Sequence, residues 1–275
     1  MENINIQRYK RKRKYSVNDN FFKTPNVLNS YFAGFIAADG CINIHYGKFF
    51  TSKKLSFGLS IKDKEFLETF KKTIEFSGPI VEYTQNGRKY VRLIINSTQI
   101  CDDLEKNYNI TPRKTYTLQP PNINDTSLID AFICGYIDGD GCIYFSKNKN
   151  KQKTIGLNIL GTENLLSWIN KRFNDILNTD ASKKLRIHKR DGKGIFSLTL
   201  SFKKARVVIK KLYSLNIPHL KRKWTNEIID YCKHFHKRLP LCRRKGVNVF
   251  NIEGIFLFHC ETLQEASQKT GVSCG

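Results

Sequence analysis

Hydrophobic and polar residues alternate with a period of two through several stretches of this chain. Leu55, Phe57, Leu59 and Ile61 alternate with Lys54, Ser56, Gly58, Ser60 and Lys62. Ile155, Leu157 and Ile159 alternate with Thr154, Gly156 and Asn158, and Leu185 and Ile187 with Arg186, His188 and Arg190. Successive side chains of a strand point to opposite faces, so each stretch predicts a strand with one face packed on helices and one open face. The full pattern predicts strands near 41–50, 54–62, 79–85 and 88–96, with helices near 27–38, 64–76 and 98–108. Further along it predicts strands near 142–149, 153–160, 184–190 and 194–201, with helices near 126–139, 162–178, 202–214 and 222–238.

The same order of elements thus occurs twice, and the residues repeat with it. Tyr31–Ile44 reads YFAGFIAADGCINI and Phe132–Phe145 reads FICGYIDGDGCIYF; aligned on Asp-Gly, Gly34 meets Gly135 and Asp39 meets Asp140, 101 positions apart. Gly58-Leu59-Ser60-Ile61 is then matched to Gly156-Leu157-Asn158-Ile159, and Asn109-Ile110 with Lys114 to Asn216-Ile217 with Lys221–Lys223. The expected fold is α+β: two pseudo-symmetric αββαββα repeats, each folding an antiparallel sheet into a saddle. The boundaries follow as a basic arm over 1–26, a first repeat over 27–122, a second over 123–240 and a tail over 241–275.

Charge names the class of partner. Lys and Arg number 47 against 24 Asp and Glu, a formal net charge of +23, which points to a polyanion and by itself to no activity. The open strand faces are rich in Lys, Arg, Asn, Ser and Gly, which suits strands laid into a DNA major groove. Residues 8–14, RYKRKRK, read as a solvated arm or one that contacts phosphates. The eight cysteines form no Cys-x-x-Cys pair, and no secretory segment or membrane span is evident, so an intracellular protein with reduced thiols is expected. Cys232, His234 and His236 lack a fourth ligand at zinc spacing.

Candidate chemistry lies in the two Asp-Gly segments. Ala33, Gly34, Ala37 and Ala38 precede Asp39, and Gly135 and Gly139 precede Asp140. Small residues let helix backbones approach closely, so the two helices are expected to pack on the pseudo-symmetry axis and bring the aspartates together. Neighbouring carboxylates repel unless a cation neutralises them, and hard divalent ions take oxygen ligands. One Asp-Gly would simply end a helix in a turn; a matched pair points to a metal site.

FAGFIAADG (Phe32–Gly40) and ICGYIDGDG (Ile133–Gly141) resemble the two motifs of monomeric LAGLIDADG homing endonucleases, and the resemblance covers roughly residues 27–238. It implies a site-specific double-strand DNA endonuclease, encoded by an intron as a mobile element and using Mg²⁺ or Mn²⁺. The implied metal site comprises Asp39 and Asp140 with the adjoining Ala38 and Gly139; Ala37 stands where an acid is common. Basic catalytic roles fall on Lys114 and Lys223, with Lys221 the less favoured register, and a water-positioning role falls on Asp63. Gly161 is read as the counterpart of Asp63, which implies slower cutting of one strand. DNA contacts are expected from Asn43, His45, Lys54, Ser56, Ser60, Arg88 and Arg92 in the first repeat. In the second they are expected from Tyr144, Ser146, Thr154, Asn158, Arg186, His188 and Arg190. Two other readings use the same fold: an intron RNA-binding maturase and a nuclease-dead DNA-binding regulator. An intein is disfavoured by Met1 and by missing splice junctions, and no H-N-H or G-I-Y motif stands out. Val249–Gly275 resembles the start of a nuclease-associated DNA-binding module, two short strands before a helix-turn-helix, cut short.

Overall fold

The computed structural model describes residues 13–47, 50–147, 151–179, 187–189, 194–233 and 246–272. The chain divides into two compact units, Met1–Cys232 and Lys233–Gly275. The first holds both repeats. Repeat one runs α1 (Val27–Asp39), β1 (Gly40–Tyr46), β2 (Thr51–Ser60), α2 (Lys64–Thr73), β3 (Val81–Gln85), β4 (Arg88–Asn96) and α3 (Thr98–Tyr108). Repeat two runs α4 (Thr126–Asp140), β5 (Gly141–Lys147), β6 (Lys153–Gly161), α5 (Glu163–Leu177), β7 (Ile187–Lys189), β8 (Phe196–Ser201) and α6 (Phe202–Tyr213), followed by α7 (Asn226–Lys233). Each repeat folds a four-stranded antiparallel sheet, in the orders β1-β2-β4-β3 and β5-β6-β8-β7.

The helices begin where the sequence supplies side-chain acceptors. The Asn26 side chain accepts from Asn29 N while the Asn29 side chain accepts from Asn26 N, a reciprocal cap on α1. Asp125 caps α4 by accepting from Ser127 N and Leu128 N. Both helices are buried nearly all round, as a helix apolar on every side must be. Phe35, Phe57, Phe66 and Phe70 fill the space between α1, α2 and the first sheet. Leu157, Ile159, Leu165, Ile169, Phe173 and Leu198 do the same in repeat two. Each such side chain contributes about 1.5–3 kcal/mol by leaving water.

Three expectations change in detail. Ile61–Asp63 is a 3-10 turn and not strand, so Asp63 stands at the start of α2. The expected helix 222–238 begins only at Asn226, and Lys221–Lys223 lie in the turn before it. The strand match between repeats also slips. Gly40 pairs with Phe57 and Gly141 with Ile159, so Leu59 corresponds to Gly161 and Ser60 to Thr162. The expected match, with Asp63 opposite Gly161, is out by four residues. An even slip keeps every side chain on its face, so alternation alone could not expose it.

The second unit contains the hairpin of β9 (Val247–Phe250) and β10 (Phe256–Cys260), and α8 (Leu263–Thr270). Cys260 and Ala266 are buried, and Thr262 caps α8 by accepting from Glu265 N. Among the described residues no helix is long and apolar enough to cross a membrane.

Candidate active site and nucleic-acid interface

The site is built at the crossing of α1 and α4. A Cβ added at Gly34 would lie 1.9 Å from the Phe132 carbonyl oxygen, and one added at Gly135 would lie 1.9 Å from the Tyr31 carbonyl oxygen. Only glycine permits this approach, and the two contacts are reciprocal about the pseudo-symmetry axis. Near the C-terminal ends, a Cβ on Gly139 would overlap that of Ala38 and stand 3.3 Å from Asp39 Oδ2. Asp39 and Asp140 end the two helices and repel each other: burial first, then the Asp140 charge, pushes the Asp39 carboxyl up to about 6. Burial also raises Asp140, opposed by Lys114, Lys223 and the Tyr136 hydroxyl.

Each aspartate has a buried lysine beside it. Lys114, from the turn after α3, donates through Nζ to the Gly40 carbonyl at 2.7 Å and the Ala38 carbonyl at 3.3 Å. Lys223 takes the symmetric place, donating to the Gly139 and Gly141 carbonyls at 2.8 Å and to the Ile137 carbonyl at 3.0 Å. Burial lowers both ammonium groups, opposed at Lys114 by Asp140 and Asp39 and at Lys223 by Asp138, Asp39 and Asp140. Lys221 instead reaches the surface carboxylate of Glu65.

Three residues with no role assigned from sequence alone shape the surroundings. Asp138 is fully buried and accepts from Tyr31 Oη at 2.6 Å, Leu220 N at 3.0 Å and Trp224 Nε1 at 2.5 Å. It therefore anchors both ends of the segment carrying Lys223; burial lifts its carboxyl to about 6 against those hydrogen bonds. Ala37 is its counterpart in α1, so the missing acid there removes an anchor and leaves Asp39 in place. Asp63 is buried, and both its oxygens accept from Arg222 Nε, at 2.8 and 3.0 Å. Arg222 was visible only as the middle of a Lys-Arg-Lys run. Tyr136, the motif counterpart of Phe35, donates to the Leu160 carbonyl at 2.9 Å beside Asp140. Its hydroxyl fills the space a Cβ at Gly161 would need, since that Cβ would lie 2.8 Å away.

The open faces of the two sheets differ. On the first lie Asn43, His45, Lys54, Ser56, Ser60, Arg88 and Arg92, with no acid of the same parity on any of its four strands. On the second lie Tyr144, Ser146, Thr154, Asn158 and the backbone position of His188. Its side chains satisfy one another: Ser146 Oγ and Thr154 Oγ1 are 2.8 Å apart, and Asn158 Nδ2 donates to Thr199 Oγ1 at 2.6 Å. Thr154 is buried, so it is presented less than alternation alone suggests. Arg186 and Arg190 lie outside the described residues, as do most of the 8–14 run, His234 and His236.

Ala38 and Gly139 carry backbone oxygens beside the paired carboxylates, each accepting from a lysine ammonium through one lone pair and keeping a second. These hard donors fit Mg²⁺ or Mn²⁺, and the mutual repulsion that raises Asp39 is what a cation would relieve. Among the described residues no group of three His, Cys, Asp or Glu side chains forms a metal cluster.

No protein-family model and no curated protein matches this chain. Solved structures do. Meganuclease I-SmaMI, bound to uncleaveable DNA with a TTGT central four, is 15% identical, covers 76% of this chain and 89% of its own, and has a TM-score of 0.51. The I-LtrWI LAGLIDADG homing endonuclease bound to target DNA is 14% identical, over 78% of this chain and 88% of its own, at a TM-score of 0.49. I-DmoI in complex with DNA and Ca is 16% identical, over 78% and 98%, at 0.48. With the I-SmaMI likeness, the chain has the LAGLIDADG endonuclease fold, both motif helices lying in one chain.

Proposed function

We propose that this protein is a homing-type endonuclease that cuts both strands of a long, asymmetric DNA site as a monomer, using Mg²⁺ or Mn²⁺. The observation that carries the reading is the reciprocal helix crossing, which sets Asp39 and Asp140 together with one buried lysine each. A divalent ion bound there would activate water and stabilise the leaving oxygen of a phosphodiester. The chain's own groups supply the rest. Above pH 6 Asp39 is mostly ionised, so the pair offers negative charge to a cation at neutral pH. Lys114 and Lys223 place positive charge beside it, suited to a phosphate. An ammonium has three hydrogens; Lys114 gives two to carbonyls and keeps one for a phosphate oxygen, whereas Lys223 gives all three. The two strands are therefore expected to be cut at unequal rates, on this ground and not through Gly161.

The test is cleavage of a duplex selected by the protein from a random library, with Mg²⁺ and beside an EDTA control. Asp140→Asn should abolish cutting while duplex affinity stays within a few-fold. Undiminished cutting by that variant would remove the aspartates from the chemistry. Tight binding to intron RNA without any DNA cleavage would replace the nuclease with a maturase.

A further inference from the structure

The open face of the first sheet carries an organised cluster away from the aspartates. Tyr83 on β3 and Tyr90 on β4 are cross-strand partners, and their rings stack with centroids 5.5 Å apart. The Arg92 guanidinium lies over the Tyr83 ring, 5.0 Å from its centroid. Arg92 sits on β4, an interior strand, paired with Gly58 on one side and Val81 on the other. Gly58 contributes no side chain to crowd it.

Two features say what this arginine lacks. Its Nε is shielded from solvent and makes no hydrogen bond. Nor does the face supply a carboxylate: Glu82 points to the other side of β3 and pairs with Lys64. An arginine already held over an aromatic ring loses little further entropy when its planar donor fork engages a partner. A cation so held, with spare donors and no acid nearby, is complementary to an acceptor pair brought by a partner.

We infer that Arg92, held over the Tyr83 ring, reads the N7 and O6 edge of a guanine in the major groove. The inference rests on the nuclease reading and names the base one residue recognises. Guanine presents two adjacent acceptors to a planar fork. A phosphate would suit an exposed cation at the rim, which describes Arg88 at the start of β4. Among the described residues the open face of the second sheet has no counterpart; Ser146, Thr154, Asn158 and Thr199 there are neutral groups bonded to one another in pairs.

The experiment selects uncut duplexes from a random library in EDTA with the full chain, then measures competition at each position at fixed salt. Arg92→Ala and Arg92→Lys should each lose preference for guanine at one position by about 5- to 150-fold, other positions holding. Arg88→Ala should weaken all duplexes alike and lower the salt slope by about 1. Uniform weakening by Arg92→Ala, or a base other than guanine at the affected position, overturns the inference and leaves the nuclease reading standing. A wild-type chain that selects no duplex overturns both.

Discussion

In the first repeat Lys114 is bonded to two carbonyl oxygens, and the turn after β2 is tied to the other repeat by charge: Asp63 to Arg222 and Glu65 to Lys221. In the second, Lys223 is bonded to three carbonyls, and the turn after β6 is tied by neutral groups. Thr162 Oγ1 donates to the Leu118 carbonyl at 2.6 Å and Asn164 Nδ2 to Gln119 Oε1 at 2.9 Å. The backbones match closely enough for both lysines to find the same oxygens, while the polar groups around them were chosen separately. What the halves share is therefore set by the helix crossing, and what distinguishes them is set by side chains at the turns. Each layer can be broken on its own.

The largest effect should come from the shared layer. Gly34→Ala and Gly135→Ala each drive a methyl into opposing backbone, which cannot rotate away, and α1 and α4 would have to separate. Each should cost on the order of 3 kcal/mol or more, or prevent folding. Gly156→Ala is the control: its methyl would meet the ring of Tyr144, an exposed side chain able to shift, and should cost under about 1 kcal/mol. Urea midpoints for the three variants measure this. A mild Gly34→Ala beside a severe Gly135→Ala would show that the crossing is not shared equally.

The shared layer was also the legible one. Gly34, Gly135 and the two Asp-Gly pairs stand out because close backbone approach restricts sequence to small residues. Strand alternation located all eight strands of the repeats because burial of one face enforces period two. The side-chain layer left weaker marks. The resemblance gives Asp63 a water-positioning role, and nothing local to it reveals its partner Arg222, 159 positions away in the chain. Asp138 gives the same lesson: its three donors come from α1 and from the segment before α7, so its role exists only after folding. The four-residue slip in β2 against β6 escaped notice because alternation reports the face of a residue and not its register.

A middle-sized effect should separate Asp39 from its surroundings. Its carboxyl keeps a proton to about pH 6 when folded, against an ordinary value of 3.8 when unfolded. Between those values the folded chain binds more protons, so this group's contribution to stability falls as pH rises from about 4 to 6 and stays low above. An amide in its place would carry no charge to bury. Asp39→Asn should therefore stabilise the metal-free protein by on the order of 1–3 kcal/mol at pH 8 and by nearly nothing at pH 4. Urea melts in EDTA at the two pH values decide it. A gain of equal size at both would mean that the buried charge is not its source.

The smallest effect addresses the two ties between repeats. Asp63→Asn leaves the Arg222 guanidinium, half-exposed, without its counter-charge, and should cost about 1 kcal/mol at low salt. Part of that cost is long-range attraction, which 1 M salt screens to about 3 Å, so the loss should shrink as salt rises. Thr162→Val removes a neutral hydrogen bond to a buried carbonyl and the cap on α5, a loss of about 1–2 kcal/mol that salt should leave unchanged. Urea midpoints at 0.05 and 1 M NaCl, about 14 Å and 3 Å of screening length, set the two variants side by side. If both losses respond to salt in the same way, the distinction between a charged and a neutral tie fails. If they diverge, added salt will loosen the turn beside Asp63 before the turn beside Thr162, because only the first is held by charge.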